Sequence, residues 1–208
     1  KLTKEGDRIC LGSRDGSIKL WDVESGKCEF TMTGHDGEVN AVDISDDGLL
    51  AFSGGDDKTV RSWDFQTGIL RLTMEGHTDE VNAVRAAPDG KKVCSGSYDK
   101  TVRLWDASTG VELKCFTGHT GCVYSVDMTS DGSIIVSGSG DKTIRLWNVA
   151  SGECRVIEGH TGYVLAELLA VCLSADEKSI FSGSFDDTVK MWDVSSGELV
   201  RSFEGHSK

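Results

Sequence analysis

Histidine, serine and aspartate recur together along this 208-residue chain. The clearest copy of the phrase that carries them runs from Gly76-His77 through VNAV, a turn at Pro88-Asp89-Gly90 and the segment SGSYDKTVRLWD to the next Gly118-His119. A serine nucleophile, a histidine base and an aspartate that orients the base are the parts of a hydrolase. A triad of that kind occurs once per active site, whereas these residue types return with each copy of the phrase. Repetition points to architecture rather than to a reaction.

Other chemistry is weaker still. The glycines of SGSGDKT (Ser137 to Thr143) are similar to a phosphate-binding loop, but no Gly precedes Lys142 and the segment reads as a β-turn. The acidic pairs Asp46-Asp47 and Asp56-Asp57 lack the alternating oxygen ligands and terminal Glu of a calcium loop. The 7 cysteines show no CxxC spacing, which argues against zinc and against a disulfide framework, and fits a reducing, intracellular compartment, cytoplasmic or nuclear. Cys10 and Cys94 share one repeat position with Phe52, Val136 and Phe181, so they read as small buried hydrophobes. No metal or cofactor is expected. Lys19, Arg61, Arg103, Arg145 and Lys190 stand two residues before a Trp, with carboxylates such as Asp64, Asp106 and Asp193 nearby, so local ion pairing is expected rather than a phosphate groove. The net charge of −12, spread through every copy, argues against nucleic acid and anionic lipid as direct partners.

The elements that hold these residues follow from the period. Trp21, Trp63, Trp105, Trp147 and Trp192 lie 42, 42, 42 and 45 residues apart. Within a copy, VNAVDIS from Val39, LLAFSG from Leu49, TVRSWDF from Thr59 and ILRLTM from Ile69 are short, rich in β-branched and aromatic residues, and separated by turn residues. Asp47-Gly48, Asp89-Gly90 and Asp131-Gly132 supply positive φ between first and second strands, and Thr67-Gly68, Thr109-Gly110, Ser151-Gly152 and Ser196-Gly197 punctuate the third and fourth. Each copy is therefore a four-stranded antiparallel meander with apolar side chains on both faces, which radial stacking buries. The repeat units are 1–33, 34–75, 76–117, 118–158 and 159–204, with 205–208 opening another, and together 1–208 form one domain.

With a GH near one end and a WD at the other, the copies resemble the WD40-repeat family of β-propellers over the whole chain. The resemblance implies an all-β propeller and a buried tetrad of Trp, Ser, His and Asp in each blade. Carried over by position, the tetrads are Trp63, Ser53, His35 and Asp57; Trp105, Ser95, His77 and Asp99; Trp147, Ser137, His119 and Asp141; and Trp192, Ser182, His160 and Asp186. The first copy departs, since Leu11 replaces Ser and no His precedes it, although Asp15 and Trp21 remain. The function implied is a non-catalytic scaffold for protein–protein interaction in signalling or assembly. The alternatives are a hydrolase-like enzyme using one His-Ser-Asp set, or a propeller in a nucleic-acid-associated complex.

Partners in the family dock on the face carrying the loops after GH and the turns between second and third strands. There this chain places Arg14, Asp56, Tyr98 and Phe185, together with Glu38, Asn40, Asp79, Glu80, Asn82, Tyr124 and Tyr163. One side is acidic and the other aromatic, which suits a peptide or loop carrying Lys or Arg with an apolar anchor. The fifth copy has four extra residues near Leu165-Ala166-Glu167-Leu168, expected as a bulge or protrusion. The chain begins at Lys1, without Met and inside an inner strand, so the natural protein is expected to extend further. Either five blades close on one another with His206 completing the first tetrad, or the chain is an arc of a larger, seven-bladed ring; the cut inner strand favours the arc.

Overall fold

The computed structural model describes residues 1–164 and 171–205, and these form five antiparallel sheets in chain order. The first sheet has three strands, β1 (Arg8–Gly12), β2 (Ser17–Asp22) and β3 (Cys28–Thr33). The second has β4 (Val39–Ile44), β5 (Leu50–Gly55), β6 (Val60–Asp64) and β7 (Leu70–Met74). The third has β8 (Val81–Ala86), β9 (Lys92–Ser97), β10 (Val102–Asp106) and β11 (Glu112–Phe116). The fourth has β12 (Val123–Met128), β13 (Ile134–Ser139), β14 (Ile144–Asn148) and β15 (Cys154–Ile157). The fifth has β16 (Val171–Leu173), β17 (Ser179–Gly183), β18 (Val189–Asp193) and β19 (Leu199–Phe203).

Each sheet is a meander in which neighbours in sequence are neighbours in space. The cut inner strand of the first sheet survives as a single bridge between Leu2 and Ile9. Glycine closes the first turn in four sheets, at Gly6, Gly48, Gly90 and Gly132, with φ of 76°, 65°, 66° and 67°. The fifth sheet puts Glu177 there at φ 57°, against the usual steric preference. Four copies insert an extra residue opposite the Trp in the fourth strand, giving a bulge between Ser62 and Trp63 and at its equivalents. The pair β14–β15 has no such shift, so the residue by which the fourth copy is shorter is the bulge itself.

Packing between sheets explains the apolar residues on both strand faces. Four buried clusters serve five sheets, one at each boundary between sequence neighbours. Cys10 and Cys94 are fully buried within them, and burial pushes the Cys10 thiol up to about 11. At the inner end of each boundary a valine from one sheet sits on a glycine of the sheet before. A Cβ on Gly54 would lie 2.5 Å from Val81 Cγ1, and Gly12 with Val39, Gly96 with Val123 and Gly138 with Val164 repeat the fit. No hydrogen bond, ion pair or buried cluster among the described residues joins the fifth sheet to the first. The insertion at Leu165-Ala166-Glu167-Leu168 and the closing residue His206 lie outside the described residues.

Candidate functional site

Four His-Ser-Asp sets assemble as the family resemblance implies, each across a second strand, a third strand and the incoming Gly-His. Trp63 Nε1–H donates to Ser53 Oγ at 2.8 Å, and His35 Nε2 lies 2.7 Å from the same oxygen. His35 Nδ1 donates to the Asp57 carboxylate at 2.9 Å. Trp105, Ser95, His77 and Asp99 repeat the chain with 2.8, 2.7 and 2.8 Å. So do Trp147, Ser137, His119 and Asp141, and Trp192, Ser182, His160 and Asp186. Each proton finds an acceptor in one arrangement: indole to hydroxyl, hydroxyl to neutral imidazole, imidazole to carboxylate. The glycine before each His is needed for approach, since a Cβ on Gly76 would meet Arg103 Nη1 at 2.6 Å and the Trp105 ring at 3.2 Å.

The electrostatics follow from that arrangement. Burial lowers His35 and His160 below the ordinary histidine value, against the pull of Asp57 and Asp186. Burial alone would raise the four aspartates, but the bonds from histidine and threonine outweigh it and hold them well below the carboxylate range. The four serines are at most 1% exposed, so no substrate reaches the hydroxyls. In the first sheet Leu11 is exposed and Trp21 only half-buried.

Beside the tetrads, backbone bonds tie together the loops that carry the candidate partner-face residues. The N–H groups of Asp56, Tyr98, Gly140 and Phe185 donate to the carbonyls of Glu38, Glu80, Cys122 and Tyr163 at 2.9 to 3.0 Å. Arg14 Nε lies 3.4 Å from Glu38 Oε1 across the first boundary. Asn40 Nδ2 donates to Asp56 Oδ1 at 2.9 Å, while Asn82 Nδ2 turns back to the Glu80 carbonyl. Asp79 is exposed, and its Oδ1 accepts the Glu80 N–H. Tyr98 and Tyr124 meet edge to face at 5.5 Å across the third boundary, and a Cβ on Gly140 would crowd Tyr124 at 3.2 Å. Burial pushes the Tyr124 phenol up to about 12, aided by Tyr98. Tyr163 and Phe185 are more than half exposed.

The model of the family described as WD domain, G-beta repeat matches residues 2–22, 26–64, 68–106, 110–148 and 152–193. This chain belongs to the WD40-repeat family. A relative from Oryza sativa subsp. japonica, small ribosomal subunit protein RACK1y, is 47% identical over 47 residues, which cover 23% of this chain and 14% of the relative. The family is one of protein-interaction scaffolds.

Sequence reasoning missed two features of these WD40 blades. Thr59, Thr101, Thr143 and Thr188 each donate both a backbone N–H and a hydroxyl to the tetrad Asp, making a fifth member of the network. Their signal was the recurring D-x-T two residues apart, read only as a strand start. The second is a belt on the inner strands at positions 1, 43, 85 and 127. Lys1 Nζ lies 2.8 Å from Asp43, and Arg85 lies 3.8 Å from Asp43 and 2.9 Å from Asp127. The cationic stripe needs a correction. Arg61 pairs with Asp57, and Arg103 with Glu112, whereas Asp64, Asp106 and Asp193 turn away to accept from Thr67, Ser108 and Ser196 in the next turn. Among the described residues no group of three His, Cys, Asp or Glu surrounds a cation position, and no helix is long and apolar enough to cross a membrane.

Proposed function

We propose that this WD40 chain is a non-catalytic platform for signalling or assembly that binds a peptide or loop carrying Lys or Arg beside an apolar anchor. The rim after each Gly-His is the docking face. The observation that carries the reading is the change of chemistry around that rim. Glu80 is raised first by burial and then by Asp56, Asp79 and Glu38, which means these carboxylates repel one another and a bound cation relieves them. Tyr98, Tyr124, Tyr163 and Phe185 then offer large contact area at low entropic cost.

Catalysis is no part of this reading, because the buried serines are committed to Trp and His in four equivalent copies. An intracellular, reducing setting belongs to it, supported by seven free cysteines. The test is affinity capture with the wild-type chain, Tyr98→Ala/Tyr124→Ala and Glu80→Lys. Both variants are expected to lose the partner, and equal recovery by all three would sink the proposal. A second reading, membership of a nucleic-acid-associated complex, is favoured by the ribosomal designation of the rice relative. At net charge −12 the contact there would be to protein, and a steep salt dependence of RNA binding would argue otherwise.

A further inference from the structure

At the end of each meander opposite the Gly-His rim, where the turns between first and second and between third and fourth strands stand, the sheet boundaries are filled unequally. Two positions decide the filling: the outer-strand residue opposite Leu20, Ser62, Leu104 or Leu146, and the residue after the third strand of the next sheet. At the first boundary these are Phe30 and Phe65, which pack into one buried cluster. At the second they are Leu72 and Ala107, and this smaller pair lines a recess of about 410 Å³. At the fourth they are Arg155 and Val194, and the recess opens to about 930 Å³, the size of a small-molecule site. Arg155 spans the recess instead of filling it, since its Nη1 donates to the Val194 carbonyl at 3.3 Å and to the Ser195 carbonyl.

Ile134, Leu146 and Val194 give this recess an apolar floor, continuous with the buried cluster of the fourth boundary. Its rim is charged. Asp193 Oδ1 accepts from Ser195 Oγ and the Ser196 N–H, Glu177 Oε1 accepts the Ser130 N–H at 2.6 Å, and Glu153 Oε2 accepts from Ser151 Oγ. Each lining carboxylate is thus engaged within the chain. The cations are less committed. Lys178 is exposed, and its Nζ has no hydrogen-bond or ion-pair partner among the described residues, where Arg155 donates through Nη1 alone.

We propose that this recess binds a small molecule that joins an apolar body to a carboxylate. The body lies on Ile134, Leu146 and Val194, and the carboxylate is taken by Lys178 and the remaining guanidinium nitrogens of Arg155. Removing the body from water supplies affinity, and the uncommitted cations select the sign of the head group. The recess and the docking rim stand at opposite ends of the meanders, so a ligand here and a partner there are independent of each other.

The probes are phenylbutyrate and, as its matched cation, phenylbutylamine, followed by calorimetry and by methyl NMR shifts. Phenylbutyrate is expected to bind one to one with Kd below about 1 mM and at least about tenfold more tightly than the amine. It is expected to shift the methyl groups of Ile134, Leu146 and Val194. Lys178→Glu is expected to weaken it at least about tenfold. That substitution keeps the fold, because the backbone carbonyl of Lys178, not its exposed side chain, accepts the Val194 N–H. Val194→Phe gives the fifth sheet the residue that fills the first boundary at Phe65, and is expected to abolish binding. Should Val194→Phe fail to fold, Lys178→Glu decides alone. A Kd above about 1 mM, equal affinity for the amine, shifts confined to other methyl groups, or binding indifferent to the folded variants overturns the proposal.

Discussion

Protonating His35 would set a second N–H against Ser53 Oγ, which already accepts from Trp63 Nε1 at 2.8 Å. The relay then has one proton too many, and the same holds in the other three sets. Histidines lowered by burial stay neutral in the fold while the unfolded chain takes up protons near the ordinary value of 6.5. The stability they contribute is therefore complete above that value and is lost as pH falls through the folded one. The aspartates act in the same direction, since their contribution is complete above the ordinary 3.8 and is lost below it. Circular-dichroism melts are expected to show a flat midpoint above about pH 7 and two falls, one starting near 6.5 and one near 4. A midpoint unchanged from pH 8 to 5 would contradict the neutral-histidine relay. The four tetrads were legible from the family pattern because Trp, Ser, His and Asp are each rare enough at a fixed spacing to stand out. The threonines were not, because Thr is also an ordinary strand residue, and only the short hydroxyl contacts separate the two roles.

Strands and turns were read to within a residue or so, since Gly and β-branched residues report local backbone geometry directly. The shortening of the fourth copy was visible, but its meaning as a deleted bulge residue was not, because a bulge is a matter of pairing register. Sheet-to-sheet contact was equally hidden at Gly54, Gly96 and Gly138, which look like strand glycines until Val81, Val123 and Val164 are seen resting on them. In Gly96→Ala the new methyl group would lie 2.6 Å from Val123 Cγ1 and 3.0 Å from Val126 Cγ1. Both valines are fixed in a buried cluster, so relief requires the third and fourth sheets to move apart. The substitution is expected to cost about 1–3 kcal/mol in urea unfolding, as overpacking does. A neutral result would show that the boundary is looser than its geometry.

Five sheets share four buried boundaries, and the free faces at the two ends are where the molecule departs from its own repeat. Among the described residues no hydrogen bond or ion pair joins the fifth sheet to the first. The inner belt of Lys1, Asp43, Arg85 and Asp127 alternates in sign from sheet to sheet and ends at Cys172, which gives the order of the sheets an electrostatic mark that no single copy reveals. The rim varies in the same way, acidic early and aromatic late, so on the function proposed above partner recognition would belong to differences among copies, while stability belongs to what they share. That division is tested most directly by urea unfolding of Ser53→Ala, Ser95→Ala, Ser137→Ala and Ser182→Ala in parallel. Each leaves a buried indole N–H and an imidazole nitrogen without a partner, and each is expected to lose about 1–3 kcal/mol. One serine whose removal leaves unfolding unchanged would contradict the reading that all four sets are structural ties.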